Sequence, residues 1–119
     1  MNGANTAIAK KWIVAFNNKK LDDLLALYDE KAVHFSPKLK ERRPETNGFV
    51  VGKEQLRDWW LDAFERLSTL QYMALSYTAN EKRVFIEYLR RVEGEPDMNV
   101  AEVLEIELGL IVGSRVYHG

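Results

Sequence analysis

Three segments near the end of the chain decide the fold: KRVFIEYLRRV at residues 82–92, NVAEVLEIE at 99–107 and LIVGSRVYH at 110–118. All three are rich in β-branched and aromatic residues, which favour β-strands. Gly94 and Pro96 lie between the first two segments and Gly109 between the last two, and both residue types are typical of turns. The segments therefore predict three consecutive strands in an antiparallel meander.

Helical patterns precede this meander. Apolar residues recur at helical spacing over residues 5–18 and 21–29, and a broad apolar stripe runs through 53–67. Further strands are predicted at 32–36 and 71–79. The order ααβαββββ, with helices gathered ahead of an antiparallel sheet, indicates the α+β class.

Residues 37–52 form the one long segment without a periodic pattern, and they contain two prolines and two glycines. A loop of this length in a compact domain is often a lid or a binding loop. The alternative is an ordinary solvated loop, because basic side chains are usually exposed. Its basic residues are Lys38, Lys40, Arg42 and Arg43.

The composition narrows the functional class. Seventeen Lys and Arg against eighteen Asp and Glu leave a formal net charge of -1, so neither nucleic acid nor an anionic membrane is an expected partner. There is no cysteine, and the two histidines lack a tight acidic cluster, so we expect neither a metal nor another cofactor. The N-terminus lacks a secretory pattern and no apolar run could span a membrane, which predicts a cytoplasmic protein. With 119 residues, the chain is expected to form one domain, 1–119.

An acid and a base on an apolar strand face are the main candidates for chemistry. If Arg90 lies opposite Glu102, then Tyr88 lies opposite Leu104 on the same face. Burial there would raise the pKa of Glu102, whereas the facing Arg90 would lower it. In the functional interpretation, Glu102 is a general acid or base and Arg90 anchors an anion or orients the carboxyl group. The alternative is a structural cross-strand ion pair.

The helical hairpin, the segment AVHFSP at 32–37 with its following loop and helix, and the closing GLI and RVYH segments resemble the SnoaL-like branch of the nuclear transport factor two superfamily. The resemblance implies a cone-shaped α+β barrel, in which a strongly curved mixed or antiparallel sheet wraps around helices and leaves an apolar pocket at its mouth. The superfamily includes isomerases, dehydratases, cyclases, an epoxide hydrolase and binding modules, so the fold does not choose between them. Val116 stands where the resemblance to the epoxide hydrolase would require its carboxylate.

The same resemblance places Ser114, Val116 and His118 on the pocket side of the last strand, provided that a bulge at Gly109 shifts the register. His118 is then a candidate proton shuttle or, one residue from the end of the chain, a frayed terminus. His34 is predicted to be structural. The candidate pocket-lining residues are Tyr28, Phe35, Trp60, Phe64, Tyr88, Leu104 and Val116. The alternative is ordinary core, which is the more frequent role of aromatic side chains at helical spacing.

We therefore interpret the chain as a protein that binds a small apolar or weakly anionic molecule and carries out acid–base isomerisation, dehydration or cyclisation without a cofactor. The alternative is a non-catalytic ligand-binding or dimerisation module. A homodimer is expected through the outer face of the sheet, because that face carries a mixed apolar and charged pattern suited to a symmetric interface. Its residues are Val103, Glu105, Arg115 and Tyr117.

Overall fold

The computed structural model describes residues 2–118. The helices are α1 (Asn2–Asn17), α2 (Leu21–Ala26), α3 (Pro37–Arg42) and α4 (Gly52–Arg66), with a single 3₁₀ turn at Pro44–Thr46. The strands are β1 (Tyr28–Phe35), β2 (Phe49–Val51), β3 (Gln71–Ala79), β4 (Arg83–Arg91), β5 (Met98–Glu107) and β6 (Leu110–His118).

The six strands form one mixed sheet in the order β2-β1-β6-β5-β4-β3. Strand β1 runs parallel to β6, and the other neighbours are antiparallel. The sheet is not closed, because β2 and β3 remain at opposite edges. Helix α1 packs on β3 and α4 packs on β1. Both helices contribute side chains to one core and one cavity with the inward-facing residues of the strands. The predicted α+β class and mixed sheet are confirmed, with an open sheet in place of a closed barrel.

The meander is confirmed, but the predicted register between its first two strands is wrong by four residues. Arg90 pairs with Met98, and Ile86 is the residue that lies opposite Glu102. The tight turn after Val92, in which the Glu95 amide donates to the Val92 carbonyl, brings β5 back earlier than predicted. Because side chains alternate with a period of two, this even shift changes the partners and leaves every side chain on its predicted face.

The bulge that the last strand requires is present, although it lies at Val112 and not at Gly109 as predicted. Ile106 pairs with Ile111 whereas Glu105 pairs with Gly113, so Val112 is the extra residue. As predicted, the bulge turns Ser114 and Val116 inward, where both are buried, and Tyr117 outward, where it is half exposed.

Three predicted boundaries are wrong. Residues 37–52 are not one loop, since they contain α3, the 3₁₀ turn and β2. Pro37 occupies the first turn of α3, where its missing N–H costs nothing, and the Ser36 hydroxyl accepts a hydrogen bond from the Lys38 amide at 3.2 Å. Helix α2 ends at Ala26 and β1 begins at Tyr28, earlier than the predicted strand at 32–36.

Candidate functional site

A cavity of about 280 Å³ lies between the helices and the inner face of the sheet. Its interior is largely aromatic, and charged side chains form its rim. The interior includes Trp12, Phe16, Trp59, Trp60, Tyr72 and Tyr88. The charged rim consists of Lys38, Glu41, Arg42, Arg66, Arg90 and Glu95.

Glu102 is the acidic group of the cavity interior. Its side chain is 1% exposed, and the Tyr88 hydroxyl donates a hydrogen bond to its Oε1 at 2.9 Å. Its Oε2 is buried without a hydrogen-bond partner among residues 2–118. Burial raises the pKa of Glu102 to about 8, and the bond from Tyr88 opposes that rise only in part. The carboxyl group is therefore largely protonated near neutral pH.

His34, which was predicted to be structural, stands beside Glu102 on the same cavity wall. The ring is buried, its Nδ1 lies 2.6 Å from the Ser114 hydroxyl, and the same Nδ1 is 4.0 Å from Glu102 Oε2. Burial lowers the pKa of His34 to about 4, so the imidazole is neutral at ordinary pH. The two neighbouring titratable groups are thus both uncharged near pH 7.

Phe35 is not a cavity residue, because β1 presents the alternate side chains inward. Its ring packs on Phe49 with the ring centres 5.0 Å apart, in the segment that was predicted to be a loop. Gly48 belongs to the same contact, since a Cβ at that position would lie 2.5 Å from the Phe35 ring. The buried positions Ala32, His34 and Ser36 reveal the correct alternation. This alternation is the sequence signal that could have identified His34 as a cavity residue.

Arg90 and Glu102 do not form the predicted pair, although both line the cavity. Arg90 Nη1 instead lies 2.8 Å from Glu95 Oε1, because the register brings the 92–97 turn over the end of β4. The hydrogen bond from Arg90 lowers the pKa of Glu95, which remains a carboxylate. Arg90 therefore belongs to the charged rim and lies opposite Met98 in the sheet.

The remaining predicted site residues divide into two groups. Trp60, Tyr88, Val116 and His118 line the cavity. Burial, followed by the nearby Lys38 and Arg90, lowers the pKa of His118. The residues buried outside the cavity lining are Tyr28, Phe64 and Leu104.

Tyr28 takes part in a buried hydrogen-bond chain behind the cavity wall. The indole N–H of Trp12 lies 3.0 Å from the Tyr28 hydroxyl, which in turn donates to the Ser114 hydroxyl at 3.1 Å. Ser114 continues the chain to His34. This connection between α1, β1 and β6 was not predicted, because its members are 80 or more residues apart at the Tyr28–Ser114 and His34–Ser114 steps.

The segment 37–52 contributes to the rim through α3. Lys38, Glu41 and Arg42 line the cavity. Arg43 points elsewhere, with its guanidinium group over the Trp59 ring and 2.9 Å from Asp58. Within residues 2–118, no cluster of three or more His, Asp or Glu side chains has the geometry of a metal site. None of the described helices is both long and apolar enough to cross a membrane.

An open mixed sheet that carries helices and an aromatic cavity on one face defines the class of this protein. The chain belongs to the SnoaL-like domain family, whose model matches residues 9–114. This confirms the resemblance drawn from the sequence. A comparison with curated proteins gave no match.

Solved structures extend the likeness to the whole fold. A SnoaL-like protein of unknown function from Burkholderia thailandensis superposes with a TM-score of 0.89 at 22% identity, covering 100% of this chain and 97% of that one. A proposed ketosteroid isomerase from Kribbella flavida gives 0.82 at 15% identity, with 99% and 79% covered. A proposed polyketide cyclase from Sinorhizobium meliloti gives 0.77 at 16% identity, with 93% and 94% covered. At identities this low, the likeness concerns the fold alone.

Proposed function

We propose that the protein binds a small, largely apolar organic molecule in the cavity and transfers a proton on it, with Glu102 as the group that gives and takes the proton. Isomerisation, dehydration and cyclisation are reaction types that such a proton transfer initiates: in isomerisation the proton returns at another carbon, in dehydration the C–O bond breaks and water leaves, and in cyclisation the carbanion formed makes a new C–C bond. The observation that carries the proposal is the buried, unpartnered Oε2 of Glu102 on an aromatic cavity wall. A carboxyl group with a pKa near 8 can both donate and accept a proton close to physiological pH.

Two rim residues have supporting roles in this proposal. Arg90 is held by Glu95 at the rim and would anchor an anionic group of the ligand. His118, whose pKa is lowered by burial, would serve as a second proton acceptor at the rim. The aromatic interior would supply most of the binding energy by burying the apolar part of the ligand.

Glu102→Gln is the direct test of the proton-transfer role. Native mass spectrometry of the purified protein with a panel of small ketones, enols and hydroxy acids would first identify a substrate. The variant is expected to lower kcat by about 10²- to 10⁴-fold and to abolish a limb of the pH–rate profile near pH 8. Glu107→Gln, which changes an exposed carboxylate on the same strand, is the matched control. Equal kcat in the two variants would contradict the role of Glu102.

A non-catalytic binding module is the second candidate. It is favoured by the position of Arg90, which pairs with Glu95 at the rim and does not contact Glu102. In that case a bound molecule would be recovered chemically unchanged from the wild-type protein, and Glu102→Gln would alter only its affinity.

The charged rim predicts that small anions associate faster than neutral molecules of the same size. Arg42 lies on α3 at the rim, whereas Lys40 is an exposed residue of the same helix outside the cavity lining. Arg42→Gln is expected to lower the association rate of benzoate and to weaken its dependence on ionic strength. Stopped-flow measurements at low and high salt, with Lys40→Gln as the control, test this. An identical salt dependence in all three proteins would show that the rim does not steer anions.

The outer face of the sheet predicts a homodimer. Phe85 is 42% exposed and Tyr117 is 50% exposed on this face, beside the Glu105–Arg115 ion pair at 2.8 Å. Phe85→Lys would place a charge in the apolar part and is expected to give monomers. Light scattering should report twice the chain mass of 13.8 kDa for the wild type and for the control Val14→Lys, which alters an exposed residue of α1. A wild type that scatters as one chain would reject the dimer.

A further inference from the structure

In the series of hydrogen bonds behind the cavity wall, Trp12 determines which group donates and which accepts at each step. An indole N–H can donate but cannot accept, so the Tyr28 oxygen accepts from Trp12 at 3.0 Å. The single Tyr28 proton is then directed to the Ser114 hydroxyl at 3.1 Å. Burial raises the pKa of Tyr28 far above its usual value, so this proton is always present.

The same reasoning makes Ser114 the donor to His34. Its oxygen accepts from Tyr28, so its one proton is free to donate to His34 Nδ1, which lies 2.6 Å away. In the opposite arrangement Tyr28 and His34 would both donate to Ser114. The serine proton would then have no acceptor, because these two groups are the hydrogen-bond partners that the Ser114 hydroxyl has among residues 2–118. An unsatisfied buried hydroxyl costs about 1 to 3 kcal/mol, which favours the first arrangement. His34 Nδ1 is therefore the acceptor.

A neutral imidazole carries one proton, so an acceptor at Nδ1 places the proton of His34 on Nε2. The His34 ring lines the cavity and Ser114 occupies its Nδ1, which leaves Nε2–H as the ring atom available to a bound molecule. The Trp60 ring, with its centre 5.5 Å from that of His34, restricts the orientation of the imidazole. The cavity thus offers a preoriented, uncharged N–H group in a largely aromatic interior.

We propose that Trp12, Tyr28 and Ser114 are positioning residues that lock His34 in its Nε2–H form, and that the cavity consequently selects molecules with a neutral acceptor oxygen, such as a ketone or aldehyde, next to an apolar group. This rests on the proposed function, because it describes the ligand class of the same site. A neutral donor favours such an oxygen over a hydrocarbon of equal size, since the latter leaves the buried N–H unsatisfied.

The protonation state of His34 can be measured without a ligand. In ¹⁵N-labelled protein at pH 7, Nδ1 should show the chemical shift of an unprotonated ring nitrogen and Nε2 that of a protonated one. Ser114→Ala removes the donor to Nδ1 and should move both shifts towards an average of the two forms. Ser76→Ala changes a serine of β3 that belongs neither to this series of hydrogen bonds nor to the cavity lining, and it should change neither chemical shift. A wild-type His34 protonated at Nδ1 would overturn the inference.

Acetophenone and ethylbenzene form a matched probe pair that differs only in the carbonyl oxygen. The affinity for acetophenone relative to ethylbenzene is expected to fall about 2- to 10-fold in Ser114→Ala, the range given by one hydrogen bond. Tyr28→Phe should lower it in the same direction, since it interrupts the chain one step earlier. An unchanged ratio would overturn the ligand class while leaving the proposed function intact. Failure of the wild type to bind either probe would count against the proposed function itself.

Discussion

Glu102→Gln is expected to make the folded protein more stable than the wild type, by an amount that grows with pH. The folded wild type keeps the Glu102 proton up to pH about 8, whereas the unfolded chain releases it near the ordinary pKa of 4.5. Between these values the unfolded state binds fewer protons, so wild-type stability falls as pH rises. At about 1.4 kcal/mol per pKa unit, the relative gain of the variant reaches roughly 4 to 5 kcal/mol.

His34 has the opposite effect on wild-type stability. Burial lowers its pKa from 6.5 to about 4, so the unfolded chain binds the additional proton and stability is lost as pH falls through this range. The effects of Glu102 and His34 oppose each other between pH 4.5 and 6.5, so the wild-type stability should be nearly independent of pH in this range. Above pH of about 6.5 only the Glu102 effect remains, and stability should decrease towards pH 8.

Urea unfolding from pH 4 to pH 9 would test both slopes on the same proteins. Glu107→Gln is again the control, because it removes an exposed carboxylate from the same strand. Its stability difference from the wild type should not follow the predicted Glu102 curve. If the difference between Glu102→Gln and the wild type were independent of pH, Glu102 would not be held protonated by burial.

Leu104→Ala is expected to destabilise the protein by about 2 to 5 kcal/mol. Leu104 is fully buried in the hydrophobic core and lies outside the cavity lining, opposite Val84 and Ser114 in the neighbouring strands. Its removal would leave a new void that the close-packed surroundings can fill only in part. Thermal or urea unfolding would measure the loss.

Val116→Ala is the informative comparison for Leu104→Ala. Val116 is a smaller residue that lines the existing cavity, so the substitution enlarges a space already present, and about 1 kcal/mol is expected. Binding of an apolar probe such as ethylbenzene should change in Val116→Ala. In Leu104→Ala binding should remain close to that of the wild type wherever the protein is folded. A selective loss of binding in Leu104→Ala would contradict this and would show that Leu104 contributes to the binding site.

Much of the sheet could be predicted from the sequence, because strand propensity and alternation are local properties. The faces of Tyr88, Glu102 and Leu104 followed from alternation alone and survived a four-residue error in register. The burial of Glu102 was predicted in the same way. The register itself depends on the geometry of the 92–97 turn, which residue types do not specify closely enough.

The partners of the charged residues could not be predicted. Arg90 lies on the predicted face, but a flexible charged side chain pairs with whichever carboxylate the turn brings near, which is Glu95. The same limit applies to 37–52, where a six-residue helix has too few apolar positions for a periodic signal. Because α3 and β2 were not predicted, Phe35 was assigned to the cavity side of β1, whereas its ring packs on Phe49 of β2.

The sequence by itself determined the class of fold, the strands of the meander and the presence of one carboxyl group on an apolar face, whereas the bulge of the last strand was only a condition of the family resemblance. Only the tertiary structure decided that His34 lies beside that carboxyl group, since the contact joins β1 to β5 and β6 across most of the chain. The tertiary structure also decided that the side chains of Trp12, Tyr28 and Ser114 are joined by consecutive hydrogen bonds. Such long-range contacts result from how helices and sheet pack together, and neither propensity nor periodicity records that packing.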